Sequence, residues 1–333
     1  TFYVPFTAAT LSATGTMPAA RHPDDGVTAL AAEQQGTGPP GENVAPGAPC
    51  AGFLPWWPQN PYQILLKQQL NRGGFRVIGN PPLSLLRLLL KRDGLDVVHI
   101  HWPHGLYQDN YWKFPYIVLV LLLYRLLRNN IVWTVHELSF YETRLRVFDR
   151  LMIGLLMRIS RTLFVHATYS EREIREHYGY RGRIVVTRHP AYTGYYPDSI
   201  ERDAAREQLG LAPDRRVYLC LGYVKPYKGV EDLIEAFRAL HGEDCCLLIA
   251  GQPLDAETQA RVRDLAAQDP RIRAELRYIG DAEIQVYMRA ADIAVFPFRK
   301  THTSGSIMLA LGFGKPVIAP AIASIPEYVD ESM

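Results

Sequence analysis

From residue 50 onward the chain alternates two patterns. Short apolar runs of strand length are followed by longer stretches whose apolar positions recur every three or four residues. Residues 50–54, 75–78, 96–101, 131–136, 162–166 and 184–187 read as strands. Residues 61–71, 83–91, 112–128, 143–159 and 170–178 read as the helices between them. Pro61 suits a first helical turn, and Gly73-Gly74 stops that helix. The turn-rich segment HPAYTGYYPD at 189–198 interrupts the alternation, which then resumes. Strands are expected at 216–221, 245–250, 276–279, 293–297 and 316–319, with helices at 230–240, 256–267, 282–290 and 305–312. Such alternation gives parallel sheets covered on both faces by helices. The pattern predicts two doubly wound α/β domains, at 49–190 and 199–333, joined by a linker at 191–198 and facing a cleft. Ligands of such sheets bind at the carboxyl ends of the strands.

Residues 1–48 break the pattern. They are rich in Ala, Thr, Gly and Pro, show no helical or strand period, and read as a disordered tail. The tail contains GTGPPG at 36–41, a literal match to G-x-G-x-x-G. No strand precedes it, two prolines sit inside it and no amphipathic helix follows, so it is not a dinucleotide loop. Of the 333 residues, 48% are hydrophobic, enough for two packed cores. The formal net charge of +2 conceals an asymmetry. Residues 56–196 carry 19 basic and 9 acidic side chains, net +10, whereas 197–333 carry 16 and 21, net −5. A basic first domain calls for an anionic partner. No nucleic-acid recognition motif is present, which leaves a membrane surface. Four cysteines without a C-x-x-C spacing exclude a zinc ribbon and fit a reducing compartment. No apolar run approaches the ~20 residues of a bilayer span, and no secretory signal pattern is seen, so a cytoplasmic protein is expected.

The sharpest chemical signal is GYVKPYKG at 222–229, between an expected strand and an expected helix. Gly222 and Gly229 allow close backbone approach, the helix N-terminus favours an anion, and Lys225 and Lys228 add two positive charges. Such a site binds a diphosphate and stabilises it as a leaving group; a solvated turn with two surface lysines would read the same way. The second signal is THTSGSIMLALGFGKPVIAP at 301–320. Ser304, Gly305 and Ser306 open a helix directly after a strand, as a second anion cradle or as plain helix capping. No G-x-x-x-x-G-K-[ST] occurs, so Walker-type phosphate binding is excluded.

The segments LGYVKPYKGVEDLIEAF and TSGSIMLALGFGKPVIAP resemble the donor-binding domain of two-domain glycosyltransferases of family 4. NPYQILLKQQLNRGGF, DVVHIHWP and IVWTVHELSFYE resemble the acceptor domain of the same enzymes, in the family's order. The resemblance implies two Rossmann-like domains of GT-B type and a nucleotide diphosphate sugar as donor substrate. It implies no cofactor or metal, and a saccharide acceptor often carried on a membrane lipid. The T-S-G-S variant is similar to that of bacterial exopolysaccharide mannosyltransferases, which points to GDP-mannose and to polysaccharide or glycolipid biosynthesis. Lys228 matches the family's diphosphate lysine. The family's arginine after the first glycine is Tyr223 here, and Lys225 replaces its charge without its fork. The family's two glutamates around the second cradle are Thr301 and Leu309 here. Family members continue beyond the last strand, so the second domain is expected to be truncated, with apolar side chains around 317–325 exposed.

His136 ends the strand IVWTV and matches the family histidine beside the reacting sugar. It can bond a hydroxyl or act as a base near neutral pH, with Glu137 or Glu142 to orient it or serve as base. Taken alone, it is equally a strand-end histidine satisfied by backbone. His99, His101 and His104 form H-x-H-x-x-H, the first two on one strand face. A metal-dependent hydrolase using this cluster is a rival reading, and a non-catalytic sugar-binding protein is another. His101 is expected to line the acceptor site. Trp56, Trp57 and Asn60 lie in the first strand-to-helix loop, where rings stack on sugars and an amide bonds hydroxyls, or where the rings simply pack beneath the loop. The mixed apolar and basic stretches at 83–94 and 111–128 fit peripheral attachment to an anionic leaflet, at the inner face of the cell membrane.

Overall fold

The computed structural model describes residues 45, 47–81, 94–127, 130–138 and 146–329. The expected tail up to residue 44, GTGPPG, the helix at 83–91 and Glu142 lie outside the described residues. The chain divides into two compact units, one ending at Arg188 and the other opening at His189.

The first unit is built on a six-stranded sheet in the order β2-β1-β3-β4-β5-β6. Its strands are β1 (Cys50–Leu54), β2 (Arg76–Gly79), β3 (Val97–Ile100), β4 (Ile131–Thr134), β5 (Thr162–Val165) and β6 (Arg183–Val186), and all neighbours run parallel. Helix α1 (Pro61–Arg72) starts where Asn60 accepts from the backbone N–H of Gln63 at 3.2 Å, with Pro61 in the first turn. Helix α2 (Phe114–Leu127) begins two residues later than the pattern predicts. Asn110 caps a short 3-10 turn at Tyr111–Lys113, and Pro115 fits the first turn of the helix that follows. Helices α3 (Arg146–Ile159) and α4 (Thr168–Tyr178) complete the described elements, and α4 ends at Gly179 with φ +60. The sheet's strand order reverses between β1 and β3, so the ends of those strands, with β4 alongside, border the crevice where a ligand of this fold binds.

The second unit holds a five-stranded parallel sheet in the order β11-β10-β7-β8-β9. Its strands are β7 (Arg216–Leu221), β8 (Cys245–Ala250), β9 (Ile272–Glu275), β10 (Ile293–Val295) and β11 (Val317–Ile318). Its helices are α5 (Arg202–Gln208), α6 (Val230–Arg238), α7 (Ala256–Ala266), α8 (Asp281–Ala290) and α9 (Gly305–Gly312). Here the order reverses between β7 and β10.

Three expectations need correction. The strand expected at 276–279 lies earlier, at β9, where Ile272 pairs with Leu247 and Glu275 with Ala250. Ile272 is buried in the core, whereas Tyr278 in the more apolar-looking segment is 58% exposed. Helix α5 has no apolar period to announce it. It is anchored by Arg206, 1% exposed, whose guanidinium donates to Asp292 at 2.7 Å and to the carbonyls of Pro213 and Arg215 at 2.6 and 2.9 Å. The apolar side chains at 317–325 are not left open: Val317, Ile318 and Ile325 are all buried. Ser324 donates to the carbonyl of His302 and ties this segment to the loop before α9.

The crossing of the loops after β7 and β8 is the tightest point of the second unit. Gly251 has φ +151, and a Cβ there would fall on the carbonyl oxygen of Gly222. Gly210 is also left-handed, φ +59, but open space surrounds it. Gly210→Ala should cost about 1–2 kcal/mol from backbone conformation alone. Gly251→Ala carries comparable strain plus a backbone collision, so its urea midpoint should fall further than that of Gly210→Ala. Equal midpoints would contradict the close approach.

Candidate active site

Both anion cradles foreseen in the sequence stand at the β7/β10 reversal. After β7 the chain turns at Gly222 (φ +135), runs through a 3-10 turn at Pro226–Lys228, and enters α6 through Gly229 (φ +70). A Cβ on Gly229 would strike the carbonyl of Pro297, just past β10, so only glycine lets the two loops touch. Lys228 Nζ lies 3.5 Å from Ser306 Oγ in the first turn of α9. A Cβ on Gly222 would meet that same hydroxyl at 2.8 Å and that same ammonium at 3.2 Å. Gly222, Lys228 and Ser306 therefore border one small space. Ser304 caps α9, its Oγ accepting from the N–H of Ile307 at 3.4 Å. Gly305 faces the hydroxyl of Tyr192, which a Cβ would meet at 3.1 Å. Arg299 fixes the two loops by pairing with Asp232 of α6, Nε to Oδ2 at 2.6 Å, and by donating its N–H to the carbonyl of Tyr227. An ammonium and a hydroxyl between two helix N-termini have the chemistry suited to a dianion and to charge developing on it. Lys225 departs from this group: its ammonium sits 5.5 Å over the ring of Tyr223. Leu309 is buried, and Thr301 donates to the carbonyl of Thr303.

In the first unit, the ends of β1, β3 and β4 gather rings. Trp57 stacks on Trp102 with centroids 4.7 Å apart, and Trp102 stacks on His136 at 3.9 Å with planes 10° apart. His101 approaches the same histidine, Nδ1 to Nε2 at 3.4 Å. Tyr62 packs edge-on against His136 and His166 at 4.8 and 5.1 Å. His99 stacks on His101 at 4.2 Å and bonds Thr134 through Nε2 at 2.7 Å. Glu137 lies beside His104, Oε1 to Nδ1 at 4.0 Å. Of the foreseen residues, Trp57, His101 and His136 come together here. Trp56 turns away, over Gly79 and under the ammonium of Lys67, and the side-chain oxygen of Asn60 is engaged as the cap of α1. Trp102, Tyr62 and His166 were not foreseen, although Trp102 directly follows His101 in the strand-end run HIHW. Among the described residues, no group of three or more His, Cys, Asp or Glu is placed to hold a metal ion.

Residues 215–333 match the family model described as Glycosyl transferases group 1. The chain is 29% identical over 262 residues to a GDP-mannose:glycolipid 4-beta-D-mannosyltransferase of Xanthomonas campestris pv. campestris, covering 74% of this chain and 67% of that one. It is 27% identical over 247 residues to a D-inositol 3-phosphate glycosyltransferase of Geodermatophilus obscurus, covering 69% of this chain and 53% of that one. This chain thus spans about two thirds of the first relative's length and about half of the second's. Among solved structures, sucrose-phosphate synthase from Thermosynechococcus elongatus aligns with a TM-score of 0.62 at 16% identity, covering 84% of each chain. HepE of Anabaena in complex with UDP-glucose aligns at 0.61 and 15%, covering 86% of this chain and 84% of that one. These likenesses support a glycosyltransferase that resembles family 4. Its two parallel-sheet units are those of the GT-B fold.

Burial keeps the imidazoles of His99 and His101 uncharged. Burial, with His166 nearby, holds His99 down to about 3. His101 is held well below the usual histidine range by burial, then by His99 and His166. The unfolded chain protonates both rings below about pH 6.5, while the folded unit does not. Their contribution to stability is therefore complete above pH 6.5 and is lost as pH falls below it, for His99 down to about 3. Each ring should remove about 1.4 kcal/mol per pH unit once well below 6.5. Thermal melts at pH 7.5 and 5.5 should show a clear drop in Tm at the lower value, and a flat Tm would contradict the neutral rings.

Proposed function

We propose that the enzyme moves a hexose, with mannose as first choice, from a nucleotide diphosphate sugar to a saccharide carried on a membrane glycolipid. GDP-mannose is the proposed donor, with no cofactor beyond it. The observation that carries this reading is the meeting of Gly222, Lys228 and Ser306 between two helix N-termini. The name of the Xanthomonas relative supplies the sugar and the acceptor class. In this reading Lys228, Ser306 and the N–H groups opening α9 hold the diphosphate, with Ser304 and Gly305 shaping that turn and Gly222 and Gly229 letting the backbone close in. They stabilise its charge as the bond to the sugar breaks. Lys225 supplies a second cation at the mouth of the loop. His136 serves the reacting sugar from the first unit and Glu137 is the neighbouring carboxylate. Trp57, Trp56, Asn60 and His101 belong to the acceptor side, with the Trp57–Trp102 stack offering a ring face to a sugar.

Lys228→Ala should weaken binding of the bare nucleoside diphosphate at least tenfold, since a charged hydrogen bond is worth ~1.5–3 kcal/mol. His136→Ala should abolish transfer with that affinity nearly unchanged, because the two residues stand on separate units. Isothermal titration with GDP and a transfer assay on both variants separate the roles. Unchanged GDP affinity in Lys228→Ala would remove the diphosphate from this cradle.

The acceptor class gives meaning to one face of the first unit. Trp112, Tyr116, Leu119, Leu122 and Leu126 recur every three or four residues along α2 and its leading turn, and all are exposed, Trp112 at 91% and Leu126 at 78%. Helix α3 packs against α2 and exposes Val147 and Leu151 among Arg146, Arg150 and Arg158. No helix among the described residues is long and apolar enough to cross a membrane. An apolar stripe flanked by arginines fits seating on an anionic leaflet, which is the proposed peripheral contact at the inner face of the cell membrane. Trp112→Ser with Leu126→Asp should reduce co-flotation with phosphatidylglycerol vesicles and leave GDP binding intact. Flotation equal to that of the unsubstituted protein would place the contact elsewhere.

A further inference from the structure

The ring cluster of the first unit holds one nitrogen whose bonding decides the chemistry of its neighbour. His101 is 1% exposed, and its Nε2 is buried with no hydrogen-bond partner among the described residues. Its other nitrogen, Nδ1, lies 3.4 Å from His136 Nε2. We infer that His101 is a positioning residue that fixes the tautomer of His136, donating from Nδ1–H to Nε2 so that His136 carries its own proton on Nδ1.

Burial keeps His101 neutral, so the ring has one N–H to place. If the proton sat on Nε2, a buried donor would be left unpaired, which is costly, and Nδ1 would have to accept from His136. If it sits on Nδ1, it has a partner, and the unpaired atom is an acceptor lone pair, the more tolerated of the two orphans. Among the described residues, Nε2 has no alternative partner. Phe53 packs edge-on to the ring at 4.7 Å, Tyr62 approaches at 5.9 Å, and His99 stacks on it at 4.2 Å while committing its own Nε2 to Thr134. The backbone of His101 is held as well, since the buried indole of Trp133 donates to its carbonyl at 3.3 Å. Trp102, stacked on the opposite partner at 3.9 Å, sets the plane of the His136 ring.

The consequence deepens the proposed function and rests on the role given there to His136. With Nε2 engaged as acceptor and its proton on Nδ1, His136 is not available as a general base through Nε2. The proton acceptor is then sought among neighbouring carboxylates, of which Glu137 lies in the same loop, 4.0 Å from His104 Nδ1.

The test reads the tautomers directly. Protein labelled with nitrogen-15 histidine is examined at pH 7.5 by long-range proton–nitrogen correlation, with the two rings assigned from His101→Asn and His136→Asn. The expected spectrum shows Nδ1 protonated and Nε2 unprotonated on both rings. A protonated Nε2 on His136 overturns the inference whatever the activity. In transfer assays, His101→Phe should lower kcat about tenfold, the value of one hydrogen bond, with donor KM unchanged. His101→Asn, whose amide nitrogen can stand where Nδ1 stood, should recover most of that loss, whereas His101→Asp, which only accepts, should not. Equal losses in Asn and Phe would reduce His101 to packing. A fully active His136→Ala would instead sink the catalytic reading of that ring, with the tautomer result untouched.

Discussion

The carbonyl of Gly222 passes the α-carbon of Gly251 at a distance that excludes any side chain, and the carbonyl of Pro297 does the same to Gly229. These two crossings bring the ends of β7, β8 and β10 to one place. They let Lys228 from one loop lie within reach of Ser306 on the next helix, although 78 residues separate them. The cradle is therefore made by backbone crowding first and by charge second. The Arg299–Asp232 pair clamps a geometry that the glycines have already allowed. Because the two helix N-termini are fixed by the same crossings, their dipoles need no reorganisation to act on a negative charge placed there, which is what makes such an arrangement effective against developing charge.

The first unit reaches precision by a different route. The ends of its central strands carry many flat rings, stacked or edge-on, and burial keeps His99 and His101 among them neutral. In that environment a proton's location is set by which neighbours can donate or accept, and small hydrogen-bond differences become decisive. The second unit thus gathers charge and hydroxyls at its strand ends, whereas the first gathers rings.

How much of this the sequence discloses depends on the range of the interaction concerned. The cradles were legible because each is a local run, glycine and lysine or serine directly after a strand, and the topology merely brings the runs side by side. The limits of β1, β7, β8 and α9 follow from apolar runs that end at loop residues. Helix α5 was not legible, since its stability rests on Arg206 reaching Asp292, 86 positions away. Strand β9 was missed for a related reason: LRYI is more apolar than IRAE, but only the latter lies in register with β8. Adjacent tryptophans also diverge. Trp57 joins a stack and Trp56 covers a glycine, and nothing in the pair itself distinguishes them. The ring cluster draws on Tyr62, Trp102, His136 and His166, from four separate parts of the chain, so it exists only once the sheet is assembled.

The turn-rich segment after His189 looks, by composition, like a tether. Its Tyr192 is buried with its hydroxyl against Gly305, and the backbone of Tyr192 and Thr193 runs along the bare face of Gly312, one and a half to two turns further down α9. The stretch is therefore a wall of the second unit. Anyone wishing to exchange donor specificities between related enzymes by swapping halves should place the seam at residues 188 and 189. A seam at 198, where the apparent linker ends, would graft a foreign segment onto a groove cut by two glycines for this one.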